Sequence, residues 1–149
     1  MIRTDHEYRE AVKRRASEKA QIAAYRKQLT DQGLTEEMIE KAIQPYESFR
    51  LQLVEEIKGY ERIKRGVIND TYNLAGIGQR LIGIRIYLGI SQRELAKRLG
   101  VHESQVSRDE KNEYHGITVE RVEEILTALG VNMKSSFEVP TPKAVTQED

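Results

Sequence analysis

The chain has 149 residues, room for one domain or two small ones. Charged residues make up 32% and hydrophobic ones 38%, and no apolar run approaches the roughly 20 residues that cross a bilayer, which excludes a membrane-spanning helix. There is no cysteine, which excludes disulfides, thiolate metal sites and cysteine nucleophiles, and 24 basic residues balance 24 acidic ones.

Met1-Ile2 is followed at once by Arg3, Asp5 and Glu7, so no apolar signal core opens the sequence and a cytoplasmic protein is expected. Thr4-Asp5-His6-Glu7 reads as a capping box at the start of a helix. Tyr8, Val12, Ala16, Ala20 and Ala23 then recur at helical spacing, and Ile22, Tyr25 and Leu29 continue the stripe until Asp31-Gln32-Gly33 ends it. Arg9, Lys13, Arg14, Arg15 and Lys19 alternate with Glu10 and Glu18, the pattern of a solvated face. Thr35 caps a second helix, with Glu36 and Glu37 at the positive end of its dipole. Pro45 either kinks this helix or starts a new one. Tyr46, Phe49, Leu53, Ile57 and Tyr60, then Ile63 or Lys64, follow three or four residues apart, coiled-coil-like over roughly three heptads. Neither helix can bury its stripe alone, so the two are expected to pack as an antiparallel hairpin with one face left for a partner.

Asn69-Asp70-Thr71, Gly76 and Gly78 break the periodicity and mark a boundary. Gly76-Ile77-Gly78 is too short for a dinucleotide fingerprint and follows no strand. Ile77, Leu81, Ile84 and Leu88 form the buried stripe of a third major helix, which Gly89 stops. Ser91 and Glu94 form a second capping box. Leu95, Ala96 and Leu99 lie on one face of the short helix that follows, and Gly100 is its left-handed stop. From His102 another helix buries Val106 and leaves Glu103, Ser104, Gln105, Ser107 and Arg108 as short or hydrogen-bonding side chains. Packing alone does not need that many, whereas the DNA major groove offers donors and acceptors to match them. A polar run, Asp109 to Gly116, leads to Thr118, which caps a last helix with Val119, Val122, Ile125, Leu126 and Leu129 inward. Val131, Met133, Ser135, Phe137 and Val139 alternate with polar residues, which predicts a short strand that a second copy of the chain would have to pair. Pro140 to Asp149 reads as a disordered tail.

The neutral total hides an uneven distribution. From Gln79 to Arg108 six basic residues face two acidic ones, a net charge of +4, and from Asp109 to Glu138 three basic residues face seven acidic ones, a net charge of −4. A basic unit backed by an acidic one can present a footprint for nucleic acid without making the whole protein basic.

Gly89-Ile90-Ser91-Gln92, Glu94-Leu95-Ala96, Leu99-Gly100-Val101, Val106-Ser107-Arg108, Glu110 and Leu129-Gly130-Val131 fall at one family's spacing: the stretch from Ile77 to Val131 resembles the Cro/repressor-type helix-turn-helix domain of the Xre family. The resemblance implies that Gln92 contacts the DNA backbone and a neighbouring base. It also implies that Glu103, Ser104 and Arg108 face the groove, and that Arg85 and Glu110 form an internal ion pair. Two positions depart from the pattern. Asp109 stands where the family usually has an aliphatic core residue, and could accept a bond from Arg85 or a loop amide, or lie exposed. Glu103 is acidic at a usual contact position, where it would repel phosphates but could accept from a cytosine amino group. A helical leader before such a domain is similar in layout to longer HigA-type antitoxins, with a loose match at Leu53 to Glu61.

The expected fold is therefore all-α: a long helical hairpin (1–66), a linker (67–76), a four- or five-helix repressor-like helix-turn-helix domain (77–139) with a short C-terminal strand, and a tail (140–149). The expected DNA contacts are Gln92, Arg93, Glu103, Ser104, Gln105, Ser107 and Arg108, with Lys111, Asn112 and Tyr114 meeting phosphates from the following loop; for Tyr114 and His115 packing within the loop is the alternative. Ser107 could instead bond back to its own helix. His6, His102 and His115 are scattered, and neither a serine elbow nor a phosphate loop occurs, so neither catalysis nor a metal or other cofactor is expected. The expected partners are an operator in double-stranded DNA and a second copy of the chain. The competing reading is an antitoxin whose N-terminal helices bind a toxin.

Overall fold

In a computed structural model of the chain, which describes residues 1–68 and 74–139, Thr4 opens helix α1 (Asp5–Asp31) by accepting from the Glu7 N–H at 3.1 Å. Glu7 completes the cap one residue earlier than a capping box requires, its Oε2 accepting from the Arg3 N–H at 2.7 Å. Thr35 caps α2 (Glu36–Lys64) in the same manner. Pro45 lies inside α2 and the helix runs through it. Ring geometry costs α2 one backbone bond there, at a site exposed to solvent.

The two helices pack antiparallel and are fastened at their ends. At the tip, Leu29, Ile39 and Ile43 are buried together, with Ile22, Tyr25, Leu34 and Ala42 around them, and Arg26 reaches Glu36 and Glu40 across the turn. At the base, Tyr8 stacks on Tyr60 with ring centroids 5.2 Å apart. The Tyr60 hydroxyl donates to Asp5 at 2.7 Å and the Tyr8 hydroxyl to Glu61 at 2.8 Å. The bond from Tyr60 holds the Asp5 carboxyl below its ordinary pKa. The middle is different. Tyr46 and Phe49, expected to start the packed stripe of α2, are exposed, Phe49 by 67%. Tyr25 of α1 meets Tyr46 edge-on with ring centroids 5.7 Å apart, and the rest of the facing lining is Ile22 and the polar chains of Arg14, Glu18 and Gln21. An open groove of about 320 Å³ is left between Arg14, Glu18, Gln21, Ile22, Tyr25, Tyr46 and Phe49.

A short 3₁₀ turn (Leu74–Gly76) leads into α3 (Ile77–Tyr87), α4 (Gln92–Leu99), α5 (Glu103–Lys111) and α6 (Val119–Leu129). The hairpin base and these four helices share one core. Ile2, Ala11, Ile57 and Tyr60 are buried together with Leu81, Ile82, Ile86, Leu95, Val106, Ile125 and Leu129. Val106 is the α5 residue that enters this core as a hydrocarbon. Val106→Ala should lower stability by about 1–3 kcal/mol through lost burial and an unfilled space, measurable by urea denaturation.

The expected strand does not form. Residues 131–139 have no regular structure and pair with nothing among the described residues. Phe137 is 88% exposed. Alternation by itself is insufficient, because a strand without a neighbour leaves its backbone groups to water. Asn69-Asp70-Thr71, in the expected linker, and the expected tail at 140–149 lie outside the described residues. Among the described residues no helix is long and apolar enough to cross a membrane.

Candidate nucleic-acid interface

Ser91 accepts from the Glu94 N–H at 3.0 Å and starts α4. The expected return bond from Glu94 is not made, since its carboxylate pairs with Arg98 one turn on at 3.0 Å. Gly100 ends the helix at φ +67°, where a side chain would be strained, and Val101 closes the turn by donating to the Ala96 carbonyl at 3.0 Å. Three residues later the chain is helical again. That short turn sets α5 across α4, against which it packs.

On α5 only Val106 and Glu110 are buried, one turn apart. Glu103, Ser104, Gln105, Ser107, Arg108 and Lys111 are exposed, a polar face opposite that inner line. Arg108 bonds its Nε to the Ser104 carbonyl at 3.2 Å, which lays the side chain back along its helix, and its terminal nitrogens have no partner among the described residues. Ser107 makes no return bond to the helix. Arg93 and Lys97 on α4 are exposed and without an ion-pair partner among the described residues. Arg98 is committed elsewhere, donating to the Ala128 carbonyl near the end of α6 at 3.0 Å.

The inner side of this face rests on a buried charge cluster. Arg85 (3% exposed) and Glu110 (0%) meet in two bonds, Nε to Oε1 at 2.5 Å and Nη2 to Oε2 at 2.7 Å. The rest of the guanidinium is satisfied by the carbonyls of Ile90 at 2.8 Å and Arg3 at 3.1 Å. Gln92, expected at the DNA, also joins the cluster: its Nε2 donates to Glu110 Oε2 at 2.8 Å. This leaves the Gln92 carbonyl oxygen and its second amide N–H, and places the start of α4 by reference to α5. Arg3 adds a weaker bond to the Glu110 carbonyl at 3.3 Å.

Beyond α5, Lys111 and Asn112 are exposed, but Tyr114 is not at the surface. Its ring is part of the core, with 7% exposure, so the expected contact with a phosphate is corrected to a packing role. Two left-handed residues, Glu113 at φ +51° and Tyr114 at φ +54°, turn the chain inward there. Burial pushes the Tyr114 hydroxyl above its ordinary pKa, and the nearby Glu110 carboxylate adds to the shift. Asp109 is half-buried, and its carbonyl accepts from the Tyr114 N–H at 2.8 Å. Its carboxylate makes no bond to Arg85, whose nitrogens are occupied by Glu110, Ile90 and Arg3. The ring of Tyr114 adds apolar volume to the core beyond the end of α5. Two contributors had no local signature. His102 caps α5 with its ring, and Arg3 lies 107 residues from its contact on Glu110.

Two short helices joined by a left-handed turn, the second showing a polar face and braced from behind, define a helix-turn-helix DNA-binding unit. Residues 84–134, about a third of the chain, match the family model described as helix-turn-helix, which supports a DNA-binding role for this domain in general. Searches of the curated proteins and of the solved structures found no match to the chain.

Proposed function

We propose that the chain is a sequence-specific transcriptional repressor that binds a near-palindromic operator as a homodimer. In this reading α5 lies in the major groove and reads bases with Ser104, Gln105 and Arg108, with Glu103 and Ser107 beside them. Gln92, Arg93, Lys111 and Asn112 hold the flanking backbone. The observation that carries it is the division of α5, whose two inward residues are locked into the core and the charge cluster while its other face is polar and exposed. Two such helices in a dimer would enter successive major grooves about 34 Å apart.

Binding to a randomised duplex library tests this, and equal weak binding to all duplexes would end the sequence-specific reading. Within it, Arg108→Ala should relax preference at one base pair, since a bidentate contact to guanine discriminates by about 1–3 kcal/mol. Arg93→Ala should weaken all duplexes alike and reduce the salt dependence by about one phosphate contact. The same change from both variants would contradict the assignment.

The open groove on the hairpin favours a second reading, in which the domain autoregulates an operon and residues 1–66 bind a toxin. Tyr46 and Phe49 present aromatic surface there. Isolation of the protein with its native partners separates the two: a stoichiometric small protein bound to residues 1–66 supports the antitoxin, and DNA alone supports the repressor.

A further inference from the structure

The backbone and the side chain of Arg3 make separate contacts. Its carbonyl accepts from Arg85 Nη2 at 3.1 Å and its N–H donates to Glu7 Oε2 at 2.7 Å, while Ile2 beside it is buried in the shared core. These bonds hold the leader in the fold whatever side chain stands at position 3. The side chain goes to α5. Its Nη1 donates to the Glu110 carbonyl at 3.3 Å, and its Nη2 lies 3.9 Å from Glu7 in a loose ion pair. The Glu110 carbonyl is in the last turn of α5, where carbonyls have no partner further along their own helix. From its own turn it accepts only the Glu113 N–H, at 3.0 Å. Arg3 fills the second lone pair, and its charge meets the negative end of the helix dipole. The peptide group so held joins Glu110 to Lys111, the last residue of α5, and the chain turns inward two residues on. Lys111 is exposed and has no ion-pair partner among the described residues.

We propose that Arg3 is a positioning residue for DNA binding: from the leader it caps the C-terminal end of α5 and so sets Lys111 against the DNA backbone. A helix end held at one lone pair of this carbonyl frays more readily than one held at both. A lysine on a fraying turn spends less of its time at one phosphate. Phosphate contacts carry no sequence information, so the loss falls on every duplex alike. Arg3 itself touches no DNA in this arrangement, since its terminal nitrogens serve Glu110 and Glu7. The leader and the helix-turn-helix therefore act as one DNA-binding body, joined by a bond that spans 107 residues of sequence.

The inference rests on the reading that α5 enters the major groove with Lys111 at a phosphate. Arg3→Met tests it, because it keeps the hydrocarbon stem and every backbone bond of residue 3 and removes only the donors and the charge. The full-length protein is titrated with the duplex it selects from a randomised library, over a range of salt, with Arg3→Met, Lys111→Ala and the double variant in parallel. Each single variant should weaken binding about fivefold, the worth of one net hydrogen bond. Each should also lower the salt dependence by about one phosphate contact. The double variant should bind no more weakly than Lys111→Ala alone. Arg3→Lys, which keeps a cationic donor, should recover most of the affinity, and a loss equal to that of Arg3→Met would count against the proposal. Faster amide exchange at Glu113 in a folded Arg3→Met protein should report the loosened turn. Losses that multiply to about 25-fold in the double variant would overturn the proposal, because Arg3 would then act apart from Lys111. Faster exchange at Glu113 with unchanged affinity would overturn it too, leaving the contact one of structure alone. If Lys111→Ala has no effect while Arg93→Ala and Arg108→Ala do, the proposal falls and the groove reading stands. If the wild-type protein selects no sequence, the sequence-specific reading fails and takes the proposal with it.

Discussion

Glu110→Ala is expected to cost about 3–5 kcal/mol, enough to lower the melting temperature of a chain this size by about 10 °C or more. The carboxylate it removes is fully buried and takes three bonds, two from Arg85 and one from Gln92. The guanidinium of Arg85 would remain in the core with only the Ile90 and Arg3 carbonyls, a desolvated charge without a counter-charge. The size of the loss comes from that stranded charge more than from the attraction between the ions, because burying the pair already cost much of what the attraction returns. Arg85→Met together with Glu110→Leu should therefore be less damaging than Glu110→Ala alone. Urea unfolding of the single and double variants measures this, and strictly additive losses would show that the two groups act independently. The consequence for function is spatial. The same carboxylate ties α3, α5 and the start of α4 together, so the cluster sets where the polar face of α5 stands relative to Gln92 and Arg93.

Two glycines of α3 should respond to alanine with opposite signs. At Gly78 an added Cβ would lie 1.9 Å from the Glu113 carbonyl oxygen and 2.8 Å from its carbon. These are backbone atoms in a turn whose two residues already have positive φ, so no rotamer change relieves the clash. Overpacking of this kind costs about 3 kcal/mol, against about 1 kcal/mol gained in helix propensity, so a net loss of about 2 kcal/mol or more is expected for Gly78→Ala. It should also displace the Tyr114 ring, which the same turn holds in the core. At Gly83 the Cβ would meet Ile68 at 3.6 Å and Ile63 at 3.9 Å, ordinary contacts, so Gly83→Ala should stabilise by up to about 1 kcal/mol. Melting curves of the two variants decide it. Equal shifts would mean that α3 does not approach the 113–114 turn this closely.

Much of this fold was legible because its signals are local. Thr4, Thr35, Ser91 and Thr118 each cap the helix they precede, and α4 and α6 begin and end where capping residues and glycine place them. A cap needs only a side-chain oxygen two or three residues from an unpaired N–H, which is a property of a few consecutive residues. The inward line of α5 was readable too, since Val106 and Glu110 are one turn apart, and the resemblance supplied Arg85 as partner. For Tyr114, where a phosphate contact and packing in the loop both stood open, the deciding signal is not local. Its residue type suits a phosphate contact, and only the pair of left-handed residues at 113–114, made possible by the glycine at position 78, sends it inward. The alternation after Gly130 predicted a strand because pattern records which side chains could be buried and not whether a neighbouring strand exists.

By itself the sequence determined the helices, their order, the turn at Gly100 and the polar surface of α5, since each follows from the conformational preferences and periodicity of neighbouring residues. Only the tertiary structure decided that Arg3 and Gln92 join the expected Arg85–Glu110 pair behind that surface. Arg3, Arg85, Gln92 and Glu110 come from four separate places in the chain and meet because the hairpin base and the helix-turn-helix share one core. The middle of the hairpin stays open between Phe49 on α2 and the polar chains of Arg14, Glu18 and Gln21 on α1, a mismatch between two helices that neither helix shows alone.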